Sequence, residues 1–217
     1  MIGGLLYLWH LGDSYFSFNP LLFSGVTVAI PLLITGGFHL DGFIDTSDAL
    51  SSYKEKEERL KIMKDPHVGA FGIIRTIILL VLFLGFVSCF QNEERAFLAF
   101  LFSFFISRSL SALSVVLFKK ARVDGMAKRE ADTKGKRIVV FIVILEFVAA
   151  SAFCIFLTGE YGAVSVAISL LFFLFYRIRV YSLFGGITGD TQGWFLCVFE
   201  CIFSGALTAL IFLERVL

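Results

Sequence analysis

Three aspartates, Asp41, Asp45 and Asp48, stand four and then three residues apart in GGFHLDGFIDTSDAL, directly after an apolar run. At about 100° per residue these positions fall within an arc of about 60° on a helix, so the carboxylates share one face. Like charges at such spacings destabilise a helix by roughly 0.2–0.5 kcal/mol per pair. A solvated acidic face near a helix start is one reading, because acids suit the N-terminal end of the helix dipole. Phe43, Ile44 and Ala49, interleaved among the acids, do not suit a fully exposed face. A bound divalent cation removes the repulsion and accounts for the spacing. Mg²⁺ is held by one or two carboxylates together with substrate phosphates and water. Asp65, in MKDPHVGAFG, follows a basic amphipathic stretch and offers a fourth carboxylate. The candidate metal ligands are therefore Asp41, Asp45, Asp48 and Asp65. A lone histidine at a helix start is commonly a structural hydrogen-bonding group, and His39 and His67 carry that reading beside a chemical one.

Two further features suit an anionic phosphate. GGITGDTQG, Gly185 to Gly193, opens the last apolar run; its glycines allow close backbone approach, and a helix start offers unpaired N–H groups. Alone it reads equally as a flexible turn capped by Asp190 or Thr191. The basic segment KKARVDGMAKREADTKGKR suits orientation in a membrane and attraction to anionic lipid. Arg122, close to the end of an apolar run, is its candidate for a phosphate. Arg108, Glu146 and Glu200 lie inside apolar runs, where ionisable groups face a bundle interior and need partners.

These residues need elements to hold them, and the composition says which. The chain has 217 residues, 58% hydrophobic, with 27 Phe and only 3 Pro; soluble domains have roughly 45–50% apolar residues. Mean hydropathy is +0.86. An all-α, polytopic helical membrane protein follows, since about 20 apolar residues cross a bilayer. Full spans are expected at about 20–38, 70–90, 96–118, 138–157, 161–177 and 194–213, six in all. The opening run MIGGLLYLW supports only half a span, and it lacks the basic lead and cleavage site of a signal peptide. Basic residues gather in three polar connections, about 39–69, 119–137 and 178–193, while the opposite side has only Arg95 and Arg215. The positive-inside rule makes those connections cytoplasmic. A net charge of +1 advertises no nucleic-acid partner. Cys197 and Cys201, one turn apart, read as small packing residues rather than half a metal site.

TGGFHLDGFIDTSDAL, IMKDPHVGAFG, ISRSLSALSVVLFKKARVDGM and GGITGDTQG occur here in the order found in the cobalamin synthase family. The chain resembles that family, the adenosylcobinamide-GDP ribazoletransferases, over nearly its whole length, as one integral-membrane domain. The resemblance implies an enzyme that joins α-ribazole, or its 5′-phosphate, to adenosylcobinamide-GDP with release of GMP, using Mg²⁺. It carries the acidic motif onto His39, Asp41, Asp45 and Asp48, and the second motif onto Lys64, Asp65 and Gly69. It carries the arginines onto Arg108 and Arg122, and the glycine-rich motif onto Gly189, Asp190 and Gly193. Members begin with a further helix not matched here, and they often have a glutamate where this chain has Cys197.

The expected roles are then as follows. Asp41, Asp45, Asp65 and Asp48 are metal ligands, and Asp48 or His39 is the base. Lys64, His67, Arg108, Arg122, Gly189, Asp190 and Gly193 bind substrate or phosphate. The expected partners are the two substrates and the lipid bilayer, with room for a homo-oligomer or for association with other cobalamin-assembly enzymes. The expected location is the cell membrane with the site on its cytoplasmic face. Two other classes compete. A lipid-headgroup enzyme of the CDP-alcohol phosphotransferase kind has a similar acidic motif, but its Ala-Arg pair is Asp45-Thr46 here. An ion-coupled transporter would place its charges near the midplane in paired half-repeats, and no repeat is visible.

Overall fold

The computed structural model describes residues 1–121 and 133–216, and these are helical nearly throughout. The helices are α1 (Ile2–Phe16), α2 (Pro20–Ile34), α3 (Phe38–Ser51), α4 (Lys56–Ile62), α5 (Ala70–Ser88), α6 (Glu94–Leu117), α7 (Thr133–Thr158), α8 (Glu160–Phe184) and α9 (Gly189–Val216). Five of them, α5 to α9, are long and apolar enough to cross a membrane. α2 and α3 reach that length only as a pair, and the pair is bent by 92°. We read α2 as the sixth span and α3 as the helix that leaves it. The bend falls at Gly36 and Gly37, with φ of 61° and 76°, left-handed values that side chains other than glycine's rarely tolerate. The Gly37 N–H closes α2 on the Leu32 carbonyl at 2.9 Å, while its own carbonyl accepts the Asp41 N–H that begins α3. The all-α, polytopic expectation is met.

Burial sorts the helices. Half of α9's apolar window is buried, against 17% for α5 and for α7. α9 is therefore the central helix, while Ile73, Ile77 and Val81 of α5 and Phe141, Leu145 and Val148 of α7 face outward, as lipid-facing side chains do. Phenylalanine fills the interior. Phe97, Phe100 and Phe104 of α6 and Phe195, Phe199 and Phe203 of α9 are buried, and Phe172 of α8 stacks on Phe195 at 5.5 Å. Several buried hydroxyls turn back on their own helices: Thr27 donates to the Phe23 carbonyl and Ser204 to the Glu200 carbonyl. Such bonds satisfy polar groups where no water is present.

The bundle has two differently built ends. At one, Gln91 Nε2 donates to Asp13 Oδ1 and to the Phe18 carbonyl, and Arg95 pairs with Glu160 at 2.8 Å. At the other, α6 and α8 finish and α5 and α9 begin. There the Ala121 N–H donates to the Ile187 carbonyl and the Ile187 N–H to the Lys119 carbonyl, both at 2.9 Å. Arg59 of α4 reaches the Leu183 carbonyl at the end of α8. All the expected site residues that are described, except Arg108, sit in the elements of this second end.

The connections differ from expectation in two places. α8 continues to Phe184 and α9 begins at Gly189, so the connection expected at 178–193 shrinks to residues 185–188. Arg177 and Arg179 consequently belong to α8. Their guanidinium groups lie over Phe118 and Phe175, and such long side chains extend a helix past the point where charge suggests a stop. The segment 39–69 contains α3 and α4 rather than a plain connection.

Candidate active site

The site is built on a crossing of α3 and α9 at two glycines. A Cβ on Gly42 would stand 2.8 Å from the Asp190 carbonyl oxygen, and one on Gly193 would stand 2.6 Å from the His39 carbonyl oxygen. Only hydrogen at both positions lets the two backbones touch. Asp190, in the first turn of α9, is thereby set against the acidic face of α3. Two motifs about 150 positions apart in the sequence become one site.

Electrostatics show the closeness. The Asp45 carboxyl is pushed up to about 6, first by burial and then by the charges of Asp41, Asp190 and Asp48. The three-aspartate face thus exists, and Asp190 joins it. Among the described residues no three His, Cys, Asp or Glu side chains gather closely enough to hold a metal ion by themselves. The donor set nevertheless fits Mg²⁺, which takes one or two carboxylates and completes its shell with phosphate oxygens and water.

Asp48 is engaged elsewhere. Its Oδ2 accepts the Gly69 N–H and its Oδ1 the Gly72 N–H, each at 2.8 Å. α5 starts at Ala70 after Gly69 as N-cap, so Asp48 satisfies two of the donors that a helix start leaves unpaired. The same two bonds pin the turn that carries Lys64, Asp65 and His67. Asp65 is exposed there; its Oδ1 accepts the His67 N–H at 2.9 Å and faces His67 Nδ1 at 2.8 Å. Those two hydrogen bonds, the backbone one first, hold its carboxyl below the usual range. Lys64 is exposed at the same turn.

The glycine-rich segment is firmly tied rather than flexible. The Thr191 N–H donates to Thr188 Oγ1 at 3.1 Å, and the Thr188 N–H donates to Thr191 Oγ1 at 2.9 Å. Thr188 therefore caps α9, in the place the sequence offered to Asp190 or Thr191, and Gly189 is the first helical residue. Beside it opens a cavity of about 410 Å³ with Met63, Val115 and Ile187 on its apolar walls. Lys120, Thr188 and Gln192 add polar groups, and Asp190 joins the cavity to the acidic cluster. Gln192 is held by α6: Ser111 Oγ donates to its Oε1 at 2.6 Å, and its Nε2 donates to Ser114 Oγ at 2.7 Å.

Arg108 pairs with Glu200 and donates to Ser107 Oγ at 2.8 Å. Sequence left it a choice between an acid and a phosphate; the acid is present. Burial first, and then the positive charge of Arg108, hold the His39 imidazole below its usual range. It is therefore neutral near pH 7 and able to accept a proton. Glu146 shares a separate cavity of about 320 Å³ with Arg108. Arg122 lies outside the described residues.

Lys120, Thr188, Ser111, Ser114 and Gln192 were not singled out from sequence. For the serines a signal existed: Ser107, Ser111 and Ser114 repeat the four-then-three spacing of the aspartates on α6. The cobalamin-5-phosphate synthase family model matches residues 1–208. The chain is 37% identical over 196 residues to the adenosylcobinamide-GDP ribazoletransferase of Lachnoclostridium phytofermentans, covering 90% of this chain and 74% of that protein. It is 32% identical over 204 residues to the enzyme of that name from Clostridium botulinum, covering 90% and 78%. It is 30% identical over 208 residues to the one from Clostridium perfringens, covering 95% and 81%. No solved structure matches the chain.

Proposed function

The chain belongs to the cobalamin-5-phosphate synthase family of phosphoryl-transferring membrane enzymes, and from that premise we propose that it is an adenosylcobinamide-GDP ribazoletransferase. A hydroxyl of α-ribazole, or of its 5′-phosphate, attacks the corrinoid-side phosphorus of adenosylcobinamide-GDP. The attacking oxygen replaces the bridging oxygen of the pyrophosphate, which departs on GMP. The observation that carries this reading is the α3–α9 crossing, which sets Asp190 against Asp41 and Asp45 beside a cavity containing Lys120.

One or two carboxylates drawn from Asp41, Asp45, Asp190 and Asp65, the last on the turn that Asp48 anchors, would hold Mg²⁺ together with substrate phosphate and water. Met63, two residues before Asp65, lines the same cavity as Asp190. The chemistry that Mg²⁺ would supply there is neutralisation of pyrophosphate charge and stabilisation of the leaving group. His39, neutral in its half-buried position, takes the proton of the attacking hydroxyl. Asp48, with both oxygens already accepting N–H groups, positions the second motif instead. Lys120 and the start of α9 offer positive charge to phosphate oxygens. Lys64 and His67 border the site on the same turn; Arg122, outside the described residues, is assigned to phosphate on the resemblance alone.

The surplus of basic residues at this end of the bundle supports a cytoplasmic active-site face in the cell membrane. A transporter would cluster its acids between the ends of the spans; here the aspartate cluster stands on α3, beyond the bend, and Glu200 within α9 is paired with Arg108. Purified protein given adenosylcobinamide-GDP, α-ribazole 5′-phosphate and Mg²⁺ should release GMP and form the joined corrinoid nucleotide in equal amounts. Absence of both products rejects the proposal.

A further inference from the structure

Gln192 enters the cavity beside α9 with its amide already oriented. Ser114 Oγ donates its single proton to the Ser111 carbonyl at 2.7 Å, so towards Gln192 it can act only as an acceptor. The partner at 2.7 Å is then Nε2, and Ser111 Oγ donates to Oε1 at 2.6 Å. Each serine uses one of the two hydrogen-bonding sites on its end of the amide. One N–H donor and one acceptor lone pair remain for a ligand. The amide cannot turn over without setting acceptor against acceptor at Ser114, whose proton is already committed.

The rest of the cavity suits a nucleotide. Its volume, about 410 Å³, lies within the range of small-molecule sites, roughly 300–1,000 Å³. Val115 and Ile187 supply apolar walls for the faces of a flat ring, and Lys120 supplies a cation. Lys120 forms no ion pair among the described residues. Asp190 belongs both to this cavity and to the acidic cluster, so a base held here is continuous with phosphates at the cluster. Guanine presents an N1–H donor and an O6 acceptor, which answer the acceptor and the donor that Gln192 has left.

We infer that this cavity binds the guanine nucleotide half of the activated substrate, with Gln192 reading the base and Lys120 holding its phosphate. The inference rests on the transferase reading above and extends it to the leaving-group subsite.

GMP binding to the purified chain in nanodiscs, measured by calorimetry alongside steady-state turnover, tests the assignment. The wild-type chain should prefer GMP to purine riboside monophosphate, whose base lacks both the N1–H and the O6. Gln192→Leu should weaken GMP binding roughly tenfold, the equivalent of about one hydrogen bond, and erase that preference. Val115→Trp, on an exposed position of α6 that lines the cavity, should block GMP while leaving Gln192 and its serines in place. Both variants should raise KM for adenosylcobinamide-GDP and leave KM for α-ribazole unchanged. If both folded variants bind GMP as the wild type does, or if KM for α-ribazole rises instead, the nucleotide assignment is overturned. Wild-type protein that releases no GMP at all would reject the transferase reading itself, a separate failure.

Discussion

Asp48 Oδ1 accepts the Gly72 N–H at 2.8 Å, and this bond joins the acidic helix α3 to the first turn of α5. Sequence grouped Asp48 with its two neighbours as metal ligand or base. The structure gives it a job at the interface, with Oδ2 occupied by the Gly69 N–H as well. A Cβ on Gly72 would meet Asp48 Oδ2 at 2.5 Å and Ile44 Cγ2 at 2.9 Å. Gly72→Ala should therefore displace Asp48 and lower stability by about 1–3 kcal/mol, the usual range for overpacking. Gly85→Ala, in the same helix with open space around it, is the control and should be neutral or slightly stabilising. Thermal unfolding followed by intrinsic fluorescence in detergent checks both, with turnover falling for the first only.

Asp45 makes stability depend on pH. Its carboxyl titrates at about 6 in the folded chain against 3.8 as the ordinary value. The folded state holds the extra proton between those values, so this contribution is fully present below about pH 4 and is lost as pH rises through 6. In the presence of a chelator, the melting temperature should fall across that window, and Asp45→Asn should flatten the fall. Mg²⁺ should restore stability above pH 6 in the wild-type chain and much less in the variant.

Arg108 and Glu200 form an ion pair between two spans, α6 and α9, with the Glu200 side chain only 10% exposed. Removing one partner leaves a charge in an apolar bundle. Arg108→Leu or Glu200→Leu should each cost about 3–5 kcal/mol, and the double replacement should cost less than their sum. Denaturant unfolding of the four proteins in mixed micelles measures the coupling. The pH at which His39 takes up its proton should rise in both proteins lacking Arg108, whose charge helps burial to hold it down.

Much of this site could be read from the chain. The α3 acids, the membrane class and the order of spans are local patterns, legible as spacing and hydropathy. The partnership of Asp190 with Asp45 is not local. It depends on Gly42 and Gly193 meeting across two helices, and either glycine alone looks like an ordinary small residue. The capture of Asp48 by Gly69 and Gly72 was hidden for the same reason, because backbone donors have no sequence signature. Charge misplaced one boundary: Arg177 and Arg179 suggested that a span had ended, whereas their aromatic neighbours let α8 run on to Phe184. Gln192 was passed over because its meaning lies in Ser111 and Ser114 of another helix.

The central claim is that the α3 carboxylate face, completed by Asp190, is where phosphoryl transfer occurs. The rate of GMP release from adenosylcobinamide-GDP, in the presence of α-ribazole 5′-phosphate and Mg²⁺, tests it most directly when wild type and Asp45→Asn are compared. Mutating an outer-shell partner of a metal site typically costs about 10–100-fold, so loss of a direct ligand should exceed a hundredfold. The predicted result is Mg²⁺-dependent GMP release by the wild type and a loss beyond that figure in a variant that remains folded. Turnover by Asp45→Asn within a few-fold of wild type would contradict the account.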